Sequence, residues 1–256
     1  MTHRALVVEN DPTDDARRLG EWLAEAGLVL ETVRPYAGDP LPADLDGFAA
    51  LVVLGGDQHA YTGPDGEPGA AWFPALESLL RKAVRHKVPT LGICLGAQLL
   101  ASAHGGTVER SAAGPEIGAK LVGRRDAAES DTIWRYVPFA PDVLQWHHDE
   151  ITELPIGAVL LAASTNYPHQ AFRFGDRAWG MQFHIECDPD MFASWATGNE
   201  RVLADLGTDP DDVVAGCAAV QDDMAEVWQP FAARFAAVAR GELDVLPPRT
   251  LPLLGH

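Results

Sequence analysis

The sequence predicts an α/β fold in which a mostly parallel central sheet is flanked by helices and followed by an antiparallel extension. In the first 105 residues, short runs of Val, Leu and Ile alternate with longer segments of helical period, which is the pattern of βαβ units. These runs are apolar at successive positions, as expected where helices cover both faces of a parallel sheet. From residue 118 to 183 the apolar runs become shorter and are broken by Gly, Pro and Asp, which favours antiparallel strands.

Strands and helices are predicted to alternate in the first half of the chain. Strands are predicted at Ala5–Glu9, Leu28–Val33, Phe48–Leu54 and Val88–Ile93. Helices are predicted near Asp14–Ala26, Ala70–His86 and Leu95–His104, where apolar residues recur with a helical period.

The second half holds five short strand candidates and then a helical region. The candidates read AKLVG, VLQWH, AVLLAAS, AFRFG and AWGMQFH, and they are expected to be mostly antiparallel. From Pro189 to Gly241 the sequence is helical, and Val213–Ala239 carries apolar residues at the spacing of a helix that packs on the sheet. The tail LDVLPPRTLPLLGH contains three prolines, so we expect an extended strap or a loose end there.

Composition excludes several classes of partner. The 256 residues include 19 Lys and Arg against 37 Asp and Glu, a net charge of −18 that repels nucleic acid. No apolar run reaches the roughly 20 residues of a membrane-spanning helix, so no membrane partner is expected. The N-terminal residues lack the pattern of a signal peptide, which predicts a cytoplasmic protein. The three cysteines are widely separated, so neither a disulfide framework nor a zinc site is expected.

Cys94 is the candidate nucleophile. It lies between Gly92 and Gly96, at the point where an apolar strand gives way within two residues to a helix. Small flanking residues permit the tight turn that exposes a reactive side chain above a sheet edge. The helix N-terminus there favours a thiolate, and its free N–H groups can bind an oxyanion. A lone cysteine is more often a buried small apolar residue, but the two glycines at a strand end reverse that preference.

A cysteine nucleophile needs a base, because an isolated thiol is mostly protonated at neutral pH. His184 ends an apolar strand, and Glu186 follows two residues later, so both side chains leave an extended backbone on the same side. The alternative is an ordinary surface ion pair. His147, His148 and Asp149 form a rival cluster, but three adjacent residues in a turn seldom converge on one metal ion, and no metal site is predicted.

Three separated motifs carry a resemblance to a known family. LVVLGGDQHAY from Leu51 to Tyr61, GICLGAQ around Cys94 and MQFHIE from Met181 to Glu186 together resemble the class I, or triad-type, glutamine amidotransferases. Within that family the chain is similar to stand-alone domains like the amidotransferase part of GMP synthase. The resemblance implies a flavodoxin-like amidotransferase domain over residues 1–195. Residues 196–256 would be a helical extension and proline-rich tail packed on the same domain.

The resemblance also implies roles for individual residues. Cys94 would be the nucleophile, His184 the general base and acid, and Glu186 the residue that orients His184. The backbone N–H groups of Gly56 and Leu95 would form the oxyanion hole. Gly55 and Gln98 would bind substrate, and no cofactor is implied.

Two positions depart from the family pattern. The family usually has Pro where this chain has Asp57, and again where it has Ile185, so we expect a different loop rigidity at both places. Neither change removes a reacting group.

The chemistry implied is cleavage of the γ-amide of glutamine, or of a γ-glutamyl compound, through a thioester on Cys94. Because the chain has no Gly-rich phosphate loop, a synthetase that accepts ammonia would be separately encoded. The alternatives are therefore a partner-independent hydrolase, slightly favoured, a glutaminase subunit that feeds such a synthetase, and a non-enzymatic module that binds a γ-glutamyl metabolite. An apolar patch around Cys94 would favour the partner. A closed pocket, walled by the Tyr61–Gly69 loop and the helices after Pro189, would favour the hydrolase.

Overall fold

The computed structural model describes residues 2–64 and 66–246, which form one large mixed sheet, two small sheets and flanking helices. The strands are β1 (His3–Val8), β2 (Leu28–Val33), β3 (Phe48–Val53), β4 (Thr90–Ile93), β5 (Thr107–Arg110), β6 (Glu116–Leu121), β7 (Gly123–Arg124), β8 (Asp142–His147), β9 (Asp149–Glu153), β10 (Val159–Ala163), β11 (Ala171–Phe174) and β12 (Ala178–Met181). The α-helices are α1 (Arg17–Glu25), α2 (Phe73–Arg85), α3 (Leu95–Ser102), α4 (Pro189–Ala196), α5 (Glu200–Asp205), α6 (Pro210–Ala219) and α7 (Gln221–Ala239).

The large sheet confirms the predicted fold class. Its strand order is β2-β1-β3-β4-β12-β11-β10-β7. The strands from β2 to β12 in this order pair in parallel, whereas β11, β10 and β7 are antiparallel to their neighbours. A parallel half and an antiparallel half therefore share one sheet.

Two details of the second half differ from the prediction. Strand β12 was predicted as one of the mostly antiparallel strands. It pairs in parallel with β4 over Ala178–Met181 and Thr90–Ile93. Strands β5 and β9, which pair with each other in a separate two-stranded sheet, were not predicted. Both are rich in charged residues, so they lack the apolar run on which the prediction depended.

The helices of the first half begin later or end earlier than predicted. Helix α1 begins at Arg17 rather than Asp14, because residues 11–14 form a turn in which the Asp14 N–H donates to the Asp11 carbonyl. Helix α2 begins at Phe73 with Pro74 in its first turn, where a missing N–H costs nothing. Helix α3 ends at Ser102, shortly before Gly105 adopts a positive φ of 86°.

The core occupies both faces of the sheet. Ala5 and Val7 of β1 face one apolar cluster, and the alternate residues Leu6 and Val8 face the other, as the period of a strand requires. Helices α1 and α7 cover the first face, and α2 and α3 cover the second.

The predicted helical region after Pro189 is four helices. Its long apolar segment is divided near Val220 into α6 and α7. Helix α7 contributes Trp228, Phe231 and Phe235 to the cluster that contains the sheet residue Trp179, so it packs on the sheet as predicted. Among the described helices, none is long and apolar enough to cross a membrane. Residues 247–256 of the predicted tail lie outside the described residues.

Candidate active site

Cys94 lies at the sharp bend between β4 and α3. Its backbone adopts φ 50° and ψ −110°, a conformation that costs a non-glycine residue roughly 1–3 kcal/mol. Its N–H donates to the carbonyl of Met181 on β12 at 2.8 Å, and its carbonyl accepts the first helical bond from Gln98 at 3.0 Å. The side chain is 7% exposed, at the N-terminus of a helix.

The two flanking glycines allow this bend. A Cβ at Gly96 would lie 2.0 Å from the carbonyl oxygen of Val53, and a Cβ at Gly92 would lie 2.6 Å from the carbonyl oxygen of Gly96. Neither position can accept a side chain without a backbone shift. The tight strand-to-helix turn predicted at Cys94 therefore has a direct steric basis.

His184 and Glu186 form a buried pair rather than a surface ion pair. The Nδ1–H of His184 donates to Oε1 of Glu186 at 2.6 Å, and each side chain is about 1% exposed. The other carboxylate oxygen of Glu186 accepts the N–H of Ile185 at 2.9 Å. Proline at position 185 would lack that N–H, so the departure from the family pattern supplies a hydrogen bond that fixes Glu186.

Burial and charge compete at His184. Burial by itself would lower the pKa of the imidazole, but the negative charges of Glu186 and Cys94 raise it well above its ordinary value. The ring packs against Trp195 of α4, with centroids 4.7 Å apart. Its Nε2 is buried without a hydrogen-bond partner among the described residues, which leaves that nitrogen available for a proton transfer.

The backbone of His184 is held by β8. The His184 N–H donates to the Leu144 carbonyl at 2.8 Å, and the Leu144 N–H donates back at 3.3 Å. His184 therefore sits on paired backbone rather than on a free loop.

Cys94 opens into a cavity of about 160 Å³. Its lining residues come from the turn after β3, from α3, from β5, from the β8–β9 turn and from the segment before α5. They are Gly56, Asp57, Gln58, His59, Tyr61, Cys94, Gln98, Arg110, Trp146, His147, His148, Asp149 and Asn199. A larger cavity of about 610 Å³ lies between β6 and β7, but no Cys or His is among its lining residues.

Of the residues assigned to the oxyanion hole and to substrate binding, some line the cavity and others do not. Gly56 lines the cavity, and a Cβ built on it would lie 3.1 Å from the Leu95 side chain, so these two residues are neighbours. Gln98 also lines the cavity, and its amide donates to Gln182 Oε1 at 3.1 Å and to the Asp149 carbonyl at 3.3 Å. Gly55 is not among the lining residues and packs against Asp14 and His184.

The cavity wall carries both signs of charge. Arg110 approaches His148 Nδ1 at 3.4 Å, and burial followed by the Arg110 charge lowers the pKa of His148. Burial raises the pKa of Asp149, while Arg110 and neighbouring histidines oppose that shift. Asp149 Oδ1 is buried without a hydrogen-bond partner among the described groups. A ligand that carries an ammonium and a carboxylate would satisfy such a wall.

The rival histidine cluster is divided. His147 is engaged at both ring nitrogens, with the Asp149 carbonyl at 2.9 Å and with Glu116 Oε2 at 3.2 Å. All three residues line the cavity, but within residues 2–64 and 66–246 His148 has no bond to a carboxylate comparable to that between His147 and Glu116. In the described part of the chain, no group of three or more His, Cys, Asp or Glu side chains is arranged to hold a metal ion.

Three residues of the site were not singled out from the sequence. Gln182 directs its amide to Cys94 Sγ at 3.7 Å, Trp195 packs on the base, and Asp14 is a buried carboxyl beside it. The two-residue period of an extended chain places Gln182 on the same side as His184 and Glu186, so its place in the site could have been predicted from the sequence. Asp14 and Trp195 lie in a turn and a helix remote in sequence, and no local pattern links them to the base.

The family model for class-I glutamine amidotransferases matches residues 21–194. The chain belongs to the class-I glutamine amidotransferase family. The resemblance carried by the three motifs is thereby confirmed, and the matched region contains Cys94, His184 and Glu186.

Known members of the amidotransferase family differ in what surrounds this domain. Gamma-glutamyl peptidase 4 of Arabidopsis thaliana is 29% identical over 71% of this chain and 70% of its own length. GMP synthase of Porphyromonas gingivalis is 34% identical over 71% of this chain but only 33% of its own length. The crystal structure of a glutamine amidotransferase from Thermotoga maritima superposes with a TM-score of 0.79 at 26% identity. It covers 92% of this chain and 99% of that one.

Proposed function

We propose that this amidotransferase-family protein is a hydrolase that cleaves the γ-amide bond of glutamine or of a γ-glutamyl compound. One observation carries the proposal: Cys94 at the strand-to-helix bend is a neighbour of His184, which donates to buried Glu186 at 2.6 Å. A nucleophile, a base and an orienting carboxylate thus act on one another in sequence.

In the first half-reaction the Cys94 thiolate attacks the γ-carbonyl carbon of the substrate. His184 holds the thiol proton and transfers it to the departing nitrogen, which leaves as ammonia or as an amine. The C–N bond breaks, and a γ-glutamyl thioester forms on Sγ. Glu186 stabilises the imidazolium that carries the proton between the two events.

The developing oxyanion needs donors near Cys94. The N–H of Leu95 belongs to the first turn of α3 and has no partner within the helix, and Gly56 is its neighbour across the cavity. We assign the oxyanion hole to these two N–H groups. Loss of one such donor typically costs about 3 kcal/mol of transition-state stabilisation.

In the second half-reaction water replaces the amine. His184 takes a proton from water as the oxygen attacks the thioester carbonyl, the C–S bond breaks, and the thiolate returns with glutamate as product. The same imidazole serves both halves, so this chemistry needs no metal or organic cofactor.

The cavity supports a substrate of amino-acid size. Pockets for drug-sized ligands measure roughly 300–1,000 Å³, so a cavity of about 160 Å³ suits a single glutamyl group. We assign the substrate's α-carboxylate to Arg110 and its α-ammonium to Asp149, whose Oδ1 is buried and unpaired. Gln98 is assigned the role of holding Asp149, because its amide donates to the Asp149 backbone.

Two features favour a partner-independent hydrolase over a synthetase subunit. Tyr61 and Asn199 line the cavity, so loops before α2 and before α5 supply wall from this chain itself. The large exposed apolar residues of the described part of the chain do not line the cavity; they are Val29, Leu121, Tyr136, Phe139, Ile156, Leu206 and Leu246. The similarity to a protein named gamma-glutamyl peptidase 4 supports a γ-glutamyl peptide as substrate.

The second candidate function is a glutaminase subunit that supplies ammonia to a separately encoded synthetase. The GMP synthase relative favours it, because the match there covers one third of a larger enzyme. A metabolite-binding module without turnover is the third candidate. It leaves a strained cysteine and a buried His–Glu pair without a purpose.

The test is product analysis on the purified chain. Parent protein and Cys94→Ser are incubated with glutamine and with a panel of γ-glutamyl dipeptides, and released glutamate, ammonia and amine are measured. We expect release by the parent alone, since serine keeps the volume but loses the easily formed thiolate. Equal rates in both proteins would refute the nucleophile, and saturable binding without turnover by the parent would favour the third candidate.

A further inference from the structure

The turn between β1 and α1 carries a buried acid directly behind the proposed base. Asp14 is 5% exposed, and its Oδ2 accepts a hydrogen bond from the Thr13 hydroxyl at 3.3 Å. A buried carboxylate normally has an Arg or Lys partner or several N–H donors. Asp14 has neither kind of partner among the described residues, and it does not line the cavity.

Gly55 provides the geometric link between Asp14 and His184. A Cβ built on Gly55 would lie 2.5 Å from Asp14 Oδ1 and 3.2 Å from His184 Cε1. Both atoms therefore lie close to the space that a side chain on Gly55 would occupy. The Asp14 carboxyl is thus a near neighbour of the Cε1 side of the imidazole.

The His184 ring has neighbours on several sides. Glu186 accepts from Nδ1, Trp195 packs against the ring, and Cys94 is a further neighbour. Asp14 adds a second carboxyl next to the base, and it comes from an element that the three family motifs do not include.

We propose that Asp14 is a positioning residue of the hydrolytic reaction, which holds and charges His184 from the Cε1 edge of the ring. This inference rests on the proposed function, since it assigns His184 the role of base. It predicts that the charge state of Asp14 alters the reactivity of the Cys94–His184 pair without any contact to substrate.

The carboxyl is suited to change charge in the neutral range. Burial raises the pKa of Asp14 to about 7, a shift that the His184 charge opposes and that Glu186, Asp11 and Asp57 reinforce. When ionised, Asp14 stabilises the imidazolium. When protonated, it withdraws that support, so the base is held less strongly in its charged form at acidic pH.

The loop does not depend on this carboxyl for its position. The Trp195 indole N–H donates to the Thr13 carbonyl at 3.2 Å, and the Asn10 amide donates to the Leu54 carbonyl at 2.9 Å. Arg17 reaches Asp188 at 3.3 Å. Since these bonds anchor the turn, a carboxyl buried beside like charges has no evident structural purpose.

The experiment compares Asp14→Asn with Asp15→Asn. Both remove one negative charge from the same turn, but Asp15 is partly exposed and paired with Arg17 at 2.9 Å. The pH dependence of kcat/KM is measured for γ-glutamyl hydrolysis by parent and variants. In Asp14→Asn we expect the high-pH limb to move at least about one pH unit lower, because a nearby opposite charge typically shifts a pKa by roughly 1–3 units. KM should change little, and Asp15→Asn should match the parent.

A second readout does not need turnover. The rate of Cys94 alkylation by iodoacetamide is followed against pH by mass spectrometry of the labelled peptide. In Asp14→Asn the thiolate should form at a higher pH than in the parent, because the imidazolium that stabilises it has lost a neighbouring negative charge. Identical alkylation profiles in parent and Asp14→Asn would overturn the role of Asp14. A parent that alkylates normally but does not hydrolyse any γ-glutamyl compound would count against the proposed function instead.

If Asp14→Asn does not fold, the parent itself supplies the measurement. The Asp14 carboxyl and the His184 ring are titrated by carbon and nitrogen NMR. A His184 response that follows the Asp14 titration supports the coupling. A His184 ring that is indifferent to the ionisation of Asp14 overturns it.

Discussion

Three residues of the site are held in states that oppose folding. Cys94 adopts a left-handed φ of 50°, Asp14 is a carboxyl buried near other acids, and Nε2 of His184 is buried without a partner among the described groups. Each state costs free energy that packing elsewhere must offset. Such costs concentrate where a reaction requires them, and here all three lie around one imidazole.

The first prediction separates Cys94 from the other thiols. A γ-glutamyl diazoketone should label Cys94 and spare Cys187 and Cys217, which are fully buried away from the cavity. Burial raises the pKa of Cys187 well above its ordinary value, which further lowers its reactivity. Peptide mapping identifies the labelled residue, and labelling of Cys187 instead would move the active site.

The second prediction ranks the base above its orienting partner. In kcat/KM, His184→Ala should lose roughly 10⁶-fold and Glu186→Gln roughly 10⁴-fold, by the pattern measured in serine triads. The histidine carries the proton, whereas the carboxylate orients and charges it. Glutamate release is the assay. Full activity in His184→Ala would transfer the role of base to another histidine, with His148 on the cavity wall as the first candidate.

The third prediction concerns stability against pH. The folded-state pKa of Asp14 is raised from 3.8 to about 7, so the folded protein binds more protons than the unfolded chain between these values. The free energy of unfolding of the parent therefore falls through this window as pH rises. Asp14→Asn removes that loss, and should be more stable than the parent by a few kcal/mol at most at pH 8, since one pKa unit corresponds to about 1.4 kcal/mol.

Urea unfolding of the parent and Asp14→Asn at pH 5 and pH 8 measures this difference. The stabilisation should be larger at pH 8 than at pH 5. A variant that is equally destabilised at both pH values would mean that the carboxyl is needed for packing and does not titrate in the neutral range.

At the scale of elements, the bend between β4 and α3 depends on a close approach of backbones. Gly96 lets α3 begin against β3, where the Val53 carbonyl oxygen occupies the space of a side chain. This packing brings the helix N-terminus to the sheet edge at which His184 arrives from β12. The parallel pairing of β4 with β12 thus brings Cys94 and His184, the proposed nucleophile and base, to the same edge of the sheet.

The fourth prediction tests this bend. Gly96→Ala should lower the free energy of unfolding by several kcal/mol, because its Cβ would lie 2.0 Å from a backbone oxygen. Gly216→Ala in α6 is the matched control, since a Cβ there meets nothing within 4 Å. It should gain up to about 1 kcal/mol from helix propensity. Chemical unfolding measures both, and equal stability of Gly96→Ala and the parent would contradict the steric argument.

The elements that sequence could predict are those with a strong apolar signal. Strands β1 to β4 are apolar runs and were located within two residues, whereas the charged strands β5 and β9 carry no such signal. The parallel pairing of β12 with β4 is a long-range choice. No local pattern distinguishes it from the antiparallel pairing that β12 also makes with β11.

At the scale of the whole molecule, the site is assembled from segments that are far apart in the chain. The motifs around Gly56, Cys94 and His184 were visible in the sequence because each is locally distinctive. The contributions of Asp14, Arg110 and Trp195 depend on how the β1–α1 turn, β5 and α4 are folded together. No local sequence pattern connects these residues to Cys94 and His184, because they lie on other elements of the chain.

The last prediction concerns substrate choice, and it depends on the completeness of the cavity. A glutaminase that serves a synthetase usually reaches full rate only when the partner aligns the site, so the isolated chain would be slow on glutamine. An independent hydrolase must complete its pocket within one chain, and here Tyr61 and Asn199 of this chain line the cavity beside Cys94. We therefore expect kcat/KM for γ-glutamyl dipeptides to equal or exceed that for glutamine on the purified chain alone.

The variant for substrate choice is Asn199→Ala, which removes a polar side chain from the cavity wall together with its hydrogen bond to the Trp195 carbonyl at 2.9 Å. If this wall contacts the leaving group, the variant should lose more rate on dipeptides than on glutamine, because only the dipeptide extends past the scissile bond. Steady-state kinetics on both substrates give the ratio. A marked preference for glutamine that emerges only when a second cellular protein is added would reject the independent hydrolase and favour the glutaminase subunit.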